Sequence, residues 1–150
     1  MQLLDTITII CSGLLVGNEL SVSAFVNPAV WQLDDRAQAK GASLLARSLG
    51  KVMPLWYTLC FALLAAEAYL HRDQARLTPL LVSLLVWIGI TIYTILFLVP
   101  INKRVAALTL TSLPATWRLD HKKWDTLHRW RIVLLVVAVS TLTYGLVGPR

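Results

Sequence analysis

Apolar residues fall into four long runs, near 6–27, 52–70, 80–99 and 132–147, and charged and polar residues collect between them. A helix rises 1.5 Å per residue, so the first three runs can cross ~30 Å of hydrocarbon. The fourth holds 16 residues, ~24 Å as a helix, and falls short. Four more residues at its front extend it to 128–147 and ~30 Å, with His128 and Arg131 at the hydrocarbon boundary. The pattern predicts an all-α fold: one integral membrane domain over 1–150, with transmembrane helices at about 6–27, 52–70, 79–100 and 116–147.

Local signals set the expected ends. Asn27-Pro28 closes helix one, because a residue before proline avoids the helical region. In loop 1, Asp34 caps a short amphipathic helix carrying Leu45, Leu49 and Met53 at fourfold spacing, expected to lie on the membrane surface. Trp56 and Tyr57 mark the inner interface, and Glu67, Tyr69 and His71 the outer one, with Glu67–His71 as a surface pair. Thr78 caps helix three at Pro79, and Pro100 closes it. One or two more helical turns follow before Pro114. A last helix then starts near Thr116 and continues unbroken into the membrane, projecting out at its cytoplasmic end. Phe25-Val-Asn-Pro and Phe97-Leu-Val-Pro-Ile-Asn form a faint internal echo, each ending one span and opening a basic loop.

Hydrophobic residues make up 57% of the chain and charged ones 15%, too apolar for an ordinary soluble domain. The pI near 9.8 suggests nucleic acid, but the charge is placed by topology instead. Four Lys or Arg lie in 28–51 and seven in the loop 100–131, against three (Arg72, Arg76 and Arg150) elsewhere. That bias puts both long loops in the cytoplasm and both termini outside a plasma membrane, with lipids as partners and no nucleic acid. The first run is not read as a signal peptide, since no basic residue precedes it and Glu19 interrupts it. Cys11 and Cys60 are expected at different depths and unable to bridge.

Gly13, Gly17 and Ser21 form a ridge suited to close helix contact, with Glu19 about 160° away from Gly17; neighbours are then expected on two faces of helix one. Glu19 itself sits ~12 Å deep, where a carboxyl must find a partner or a proton. Arg131, extending along its stem, is the nearest cation in depth. Trp117, His121, Trp124, Asp125, His128 and Arg131 share a stripe about 120° wide on the last helix. His121, Asp125 and His128 are ligand-type residues at i, i+4 and i+7, so the stripe reads either as a metal site or as an interfacial belt. Asn102 reads either as a cap on helix three or as a donor facing the bundle.

The chain resembles the anthrone oxygenase-like family of small four-helix membrane proteins. The likeness rests on Gly13-Leu-Leu-Val-Gly with Asn27-Pro28, on Val99-Pro-Ile-Asn102, and on Trp124-x-x-x-His128-x-x-Arg131. It implies the four-helix fold and, further, oxidation of a flat phenolic, anthrone- or quinone-like substrate from the bilayer. His128 or Glu19 would abstract the acidic C–H proton, and Arg131 and Asn102 would hold the enolate oxygen. Asn27, Trp117, Trp124 and Trp130 would contact the rings. The enolate reacts with dioxygen directly, so no cofactor is expected. The competing reading is a non-catalytic lipid- or quinone-binding module or partner subunit. A transporter would need a homo-oligomer to enclose enough volume.

Overall fold

A computed structural model describes residues 2–148. Four antiparallel helices carry the fold: α1 (Gln2–Trp31), α2 (Asp35–Leu70), α3 (Leu77–Ala106) and α4 (Trp117–Val147), all long and apolar enough to cross a membrane. Among the described residues there is no strand, only an isolated pairing of Thr109 with Ser112 in the last loop. Each helix packs on its neighbours in a square, α3 against α4 most extensively, with α1 diagonal to α3. Leu15, Leu64, Leu80, Trp87, Ile90, Leu135 and Leu142 fill the centre, while residues such as Leu3, Leu55, Leu85 and Val133 face outward. Both chain ends and the 71–76 turn lie at one end of the bundle, here the terminal end; the two longer connections lie at the other, the basic end. Arg150, counted in the charge bias, lies outside the described residues.

Neither proline ends its helix. Asn27 and Val99 keep helical dihedrals (φ −61°, ψ −47° and φ −58°, ψ −44°) although a proline follows each. The reason is the same at both places. A wider π turn, Val22–Val26 or Thr94–Leu98, precedes the proline, and the Asn27 and Val99 amides reach back five residues to Val22 and Thr94 carbonyls. Proline has no N–H and its ring crowds the carbonyl four residues back, so a locally wider turn lets the helix pass. The internal echo is thus a shared backbone device. Helix three opens at Leu77 with Arg76 before it, placing Thr78 inside the first turn.

The interfacial helix of loop 1 does not exist as a separate element. Asp34 caps as expected, accepting from the Arg36 and Ala37 amides at 3.1 and 3.0 Å, but the helix it starts runs straight through Pro54 to Leu70. Its small residues decide this. Ala42 and Ala46 pack against Ile101 and Val105 of α3, and Ser43 and Arg47 both donate to the Ala106 carbonyl, at 3.1 and 2.7 Å. The segment is the first part of α2, held against α3.

Three further expectations change, two through the direction a side chain takes around its helix and one, the cysteine pair, through the axial register of α1 against α2. A Cβ placed on Gly13 or Gly17 would meet nothing within 4 Å, so the ridge of α1 faces away from the bundle and α1 packs through Thr8, Ser12, Leu15 and Glu19 instead. The close approach occurs at Gly145, where a Cβ would stand 3.2–3.3 Å from Pro79 and Leu80. Cys11 and Cys60 are level with each other, their sulfurs 3.6 Å apart. Glu67 and His71 are fully buried rather than a surface pair.

Candidate functional site

A cavity of about 590 Å³ opens among the four helices in the half of the bundle nearer the basic end. Its walls are mostly apolar: Met53 and Phe61 of α2, and Ile88, Ile92, Ile95 and Leu98 of α3. Phe61, Ile92 and Ile95 of this lining are exposed, so the cavity is open on an apolar side. The π turn of α3 contributes Thr94, Ile95 and Leu98 to the wall and is followed there by Val99 and Asn102.

Glu19, Asn102, His128 and Arg131 all line this cavity. Glu19, His128 and Arg131 are nearly inaccessible, at 2%, 1% and 8% exposure, and depend on one another for polar partners. An Arg131 Nη2–H donates to Glu19 Oε2 at 2.6 Å, and the same nitrogen lies 3.0 Å from His128 Nδ1. His128 Nε2 stands 3.2 Å from the Glu19 main-chain oxygen, a group that can only accept. Nε2 therefore carries a hydrogen, while Nδ1 faces both the guanidinium and Glu19 Oε2, the latter at 3.2 Å. Trp124 stacks on this imidazole with ring centres 4.6 Å apart, fixing its plane from the other side.

Tyr57 completes the cluster, and sequence reasoning missed it. Its hydroxyl donates to Glu19 Oε1 at 3.0 Å, and its ring carries the Arg131 guanidinium 5.5 Å from its centre. Read as an interfacial aromatic beside Trp56, it points inward instead; Trp56 also turns in, donating to the Cys11 carbonyl at 3.2 Å. Once Glu19 is placed in the bundle, a tyrosine on the preceding turns of α2 is a natural donor, but only the helix rotation reveals it. Lys103 on the cavity wall was missed as well. Two cations, Arg131 and Lys103, thus stand on the wall with one carboxylate, Glu19.

Asn102 does not cap α3, which continues to Ala106. One of its amide hydrogens reaches across to the Ala46 carbonyl of α2 at 3.2 Å, and the other stays available beside the cavity. The remaining candidates are dispersed. Asn27 donates to Asp125 at 2.9 Å and lines only a small void of about 30 Å³ behind Trp124. Trp117 is buried away from the large cavity, and Trp130 is 64% exposed on the outer surface. Of the three tryptophans, Trp124 alone lines the cavity.

The His121–Asp125–His128 stripe does not converge on one point. His121 stacks on Trp31 at 4.6 Å, Asp125 accepts from Asn27 and Arg129, both at 2.9 Å, and His128 belongs to the Glu19 cluster. Among the described residues, the group with metal-ligand spacing is elsewhere, at Asp5, Glu67 and His71.

The family described as Anthrone oxygenase matches residues 42–141, two thirds of the chain. The chain belongs to that family. The matched stretch takes in Val99-Pro-Ile-Asn102 and Trp124-x-x-x-His128-x-x-Arg131, hence Tyr57, Asn102, Trp124, His128 and Arg131 of the cavity. Glu19 and Asn27 lie upstream of it, so the carboxylate at the centre of the cluster comes from a helix outside the match. No curated protein and no solved structure matches the chain.

Proposed function

We propose that this protein oxidises a flat phenolic ketone of the anthrone type, taken from the bilayer, with dioxygen as oxidant. The observation that carries this reading is the cavity: about 590 Å³, within the ~300–1,000 Å³ of small-molecule sites, apolar along its walls, with its ionisable groups gathered at one place. Family membership supports the oxygenase class.

The chemistry asks for a base beside the acidic methylene and for donors at the ketone oxygen. Glu19 is the base, because it is the anionic group of the wall and each carboxylate oxygen keeps a lone pair beyond its bond to Arg131 or Tyr57. The methylene C–H breaks, the proton goes to Glu19, and the electron pair spreads onto the ketone oxygen as an enolate. Arg131, the free N–H of Asn102 and the charge of Lys103 stabilise that oxygen. The enolate carbon then gives its electron pair to dioxygen, a C–O bond forms, and the distal oxygen takes the proton back from Glu19. Loss of water from this hydroperoxide leaves a second ketone. One anthrone and one dioxygen thus yield one anthraquinone and one water, with no step routed through a metal. His128 acts as a positioning residue for Glu19 and Arg131, and Trp124 as a flat wall for the rings.

The test is conversion of an unsubstituted anthrone by protein reconstituted in lipid nanodiscs under ¹⁸O₂, scored against empty nanodiscs. The expected result is faster quinone formation, with ¹⁸O in the new carbonyl and loss of the excess rate in Glu19→Gln. A rate equal to that of empty nanodiscs overturns the reading; if quinone still binds in the cavity, the non-catalytic quinone-binding module takes its place. We also propose that the basic end faces the cytoplasm, as the charge bias requires. Reporter fusions after Val147 active only in the cytoplasm would overturn that orientation.

A further inference from the structure

At the terminal end, on the far side of the bundle core, Asp5 of α1 and Glu67 of α2 converge on His71, which follows the last residue of α2. Asp5 is fourteen residues before Glu19 on the same helix, roughly 21 Å along its axis, so this is a separate place from the cavity. One donor atom from each residue lies within 4.8 Å of the other two. The three atoms Asp5 Oδ1, Glu67 Oε2 and His71 Nε2 are all buried and have no hydrogen-bond partner among the described residues. Glu67 and His71 are fully inaccessible. Three orphaned polar atoms pointing at a common centre are costly to bury unless something sits between them.

The surrounding residues show what that something is. His71 Nδ1 lies 3.0 Å from Gln74 Oε1, an acceptor, so Nδ1 carries a hydrogen and Nε2 is the nitrogen turned toward the two carboxyl groups. Thr8, itself fully buried, donates its hydroxyl to Glu67 Oε1 at 3.0 Å, leaving Oε2 free. His71 and Glu67 are thus each oriented by a neighbour, the arrangement metal-binding histidines and carboxylates need. Two carboxyl groups and one imidazole nitrogen face one another, and among the described residues no lysine or arginine side chain pairs with them. Ligands about 2.1 Å from a tetrahedral ion stand about 3.4 Å apart, a spacing the His71–Glu67 pair already has and Asp5 would reach by closing in slightly. His71 Nε2 is 3.5 Å from Glu67 Oε2 and 4.0 Å from Asp5 Oδ1.

We infer that Asp5, Glu67 and His71 bind one divalent first-row transition-metal ion of the zinc, manganese or ferrous class. One nitrogen and two oxygens suit these ions, whereas thiolate-seeking copper(I) has no ligand here and all-oxygen sites suit magnesium or calcium better. The ion would clamp the start of α1 to the end of α2 beside the 71–76 turn and keep a coordination position for water.

Full-length protein purified in detergent, stripped with EDTA and desalted, is titrated with Zn²⁺ and with Co²⁺. The expected result is one equivalent retained per chain by elemental mass spectrometry, visible ligand-field bands with Co²⁺, and a rise in melting temperature. His71→Ala and Glu67→Gln are expected to lose all three signals, and Gln74→Ala to weaken binding about 10–100-fold. Asp125→Asn is expected to keep the full equivalent. Wild-type protein that retains no ion, or an equivalent undiminished in both ligand variants, overturns the site. Because the ligand variants could unfold, ¹⁵N-histidine NMR of the wild type gives an independent reading. Both His71 nitrogens protonated in the presence of Zn²⁺ would mean an imidazolium ion pair, and no metal site.

Discussion

Arg131 on α4 and Glu19 on α1 meet at 2.6 Å inside the bundle, across 112 positions of sequence. A charge pair so placed is weak grounds for stability, since apolar residues of similar size could fill the same space. Removing one member, however, strands the other. Arg131→Met is expected to cost about 3–5 kcal/mol. Combined with Glu19→Gln it should cost clearly less, because no bare carboxylate remains. Chemical denaturation in detergent micelles gives the four corners of the cycle. Additive losses would show that the pair is not coupled.

Tyr57 is expected to matter through its hydroxyl alone. Tyr57→Phe keeps the ring beneath Arg131 but removes the 3.0 Å bond to Glu19. Hydrogen bonds to charged groups contribute about 1.5–3 kcal/mol, so stability should fall by that amount while the fold persists. Under the proposed reaction the anthrone turnover number changes and its KM changes little. A variant as stable as the parent would place the hydroxyl bond outside the folded core.

Trp124 and Trp130 stand six residues apart on α4 and are expected to behave oppositely. Trp124 forms the cavity wall against His128, whereas Trp130 is 64% exposed on the outer surface. Trp124→Ala should weaken binding of a planar quinone measured by fluorescence quenching. Trp130→Ala should leave it unchanged, with stability within about 0.5 kcal/mol. Equal effects from the two would contradict the rotation of α4 described above.

Cys11 and Cys60 test the vertical register of α1 against α2. With sulfurs 3.6 Å apart, mild oxidation of the unfolded-free protein should remove two hydrogen atoms per chain, read by intact mass. Cys60→Ala should abolish the loss. Two thiols that remain freely and separately alkylated under oxidant would mean that the helices are offset.

Much of the bundle was legible along the chain because membrane burial is a one-dimensional constraint. A run of apolar residues long enough to cross the hydrocarbon must be a helix, since no water is present to satisfy its backbone. The short fourth run therefore pointed to a helix starting before its apolar part, and α4 begins at Trp117 after Thr116. Depth is also one-dimensional, which is why Glu19 and Arg131 could be matched from their distances to helix ends. Rotation about each helix axis is not written in depth. Lipid and protein interior are equally apolar, so hydrophobic patterning gives little contrast between the face that packs and the face that does not. Tyr57 turning in, Trp130 turning out, the glycine ridge facing away and the convergence of Asp5, Glu67 and His71 were decided only when four helices packed together. The continuation of the helices past Pro28 and Pro100 was likewise set by three dimensions: a π turn carries each helix past its proline, and the packing of α2 on α3 holds the second continuation in place.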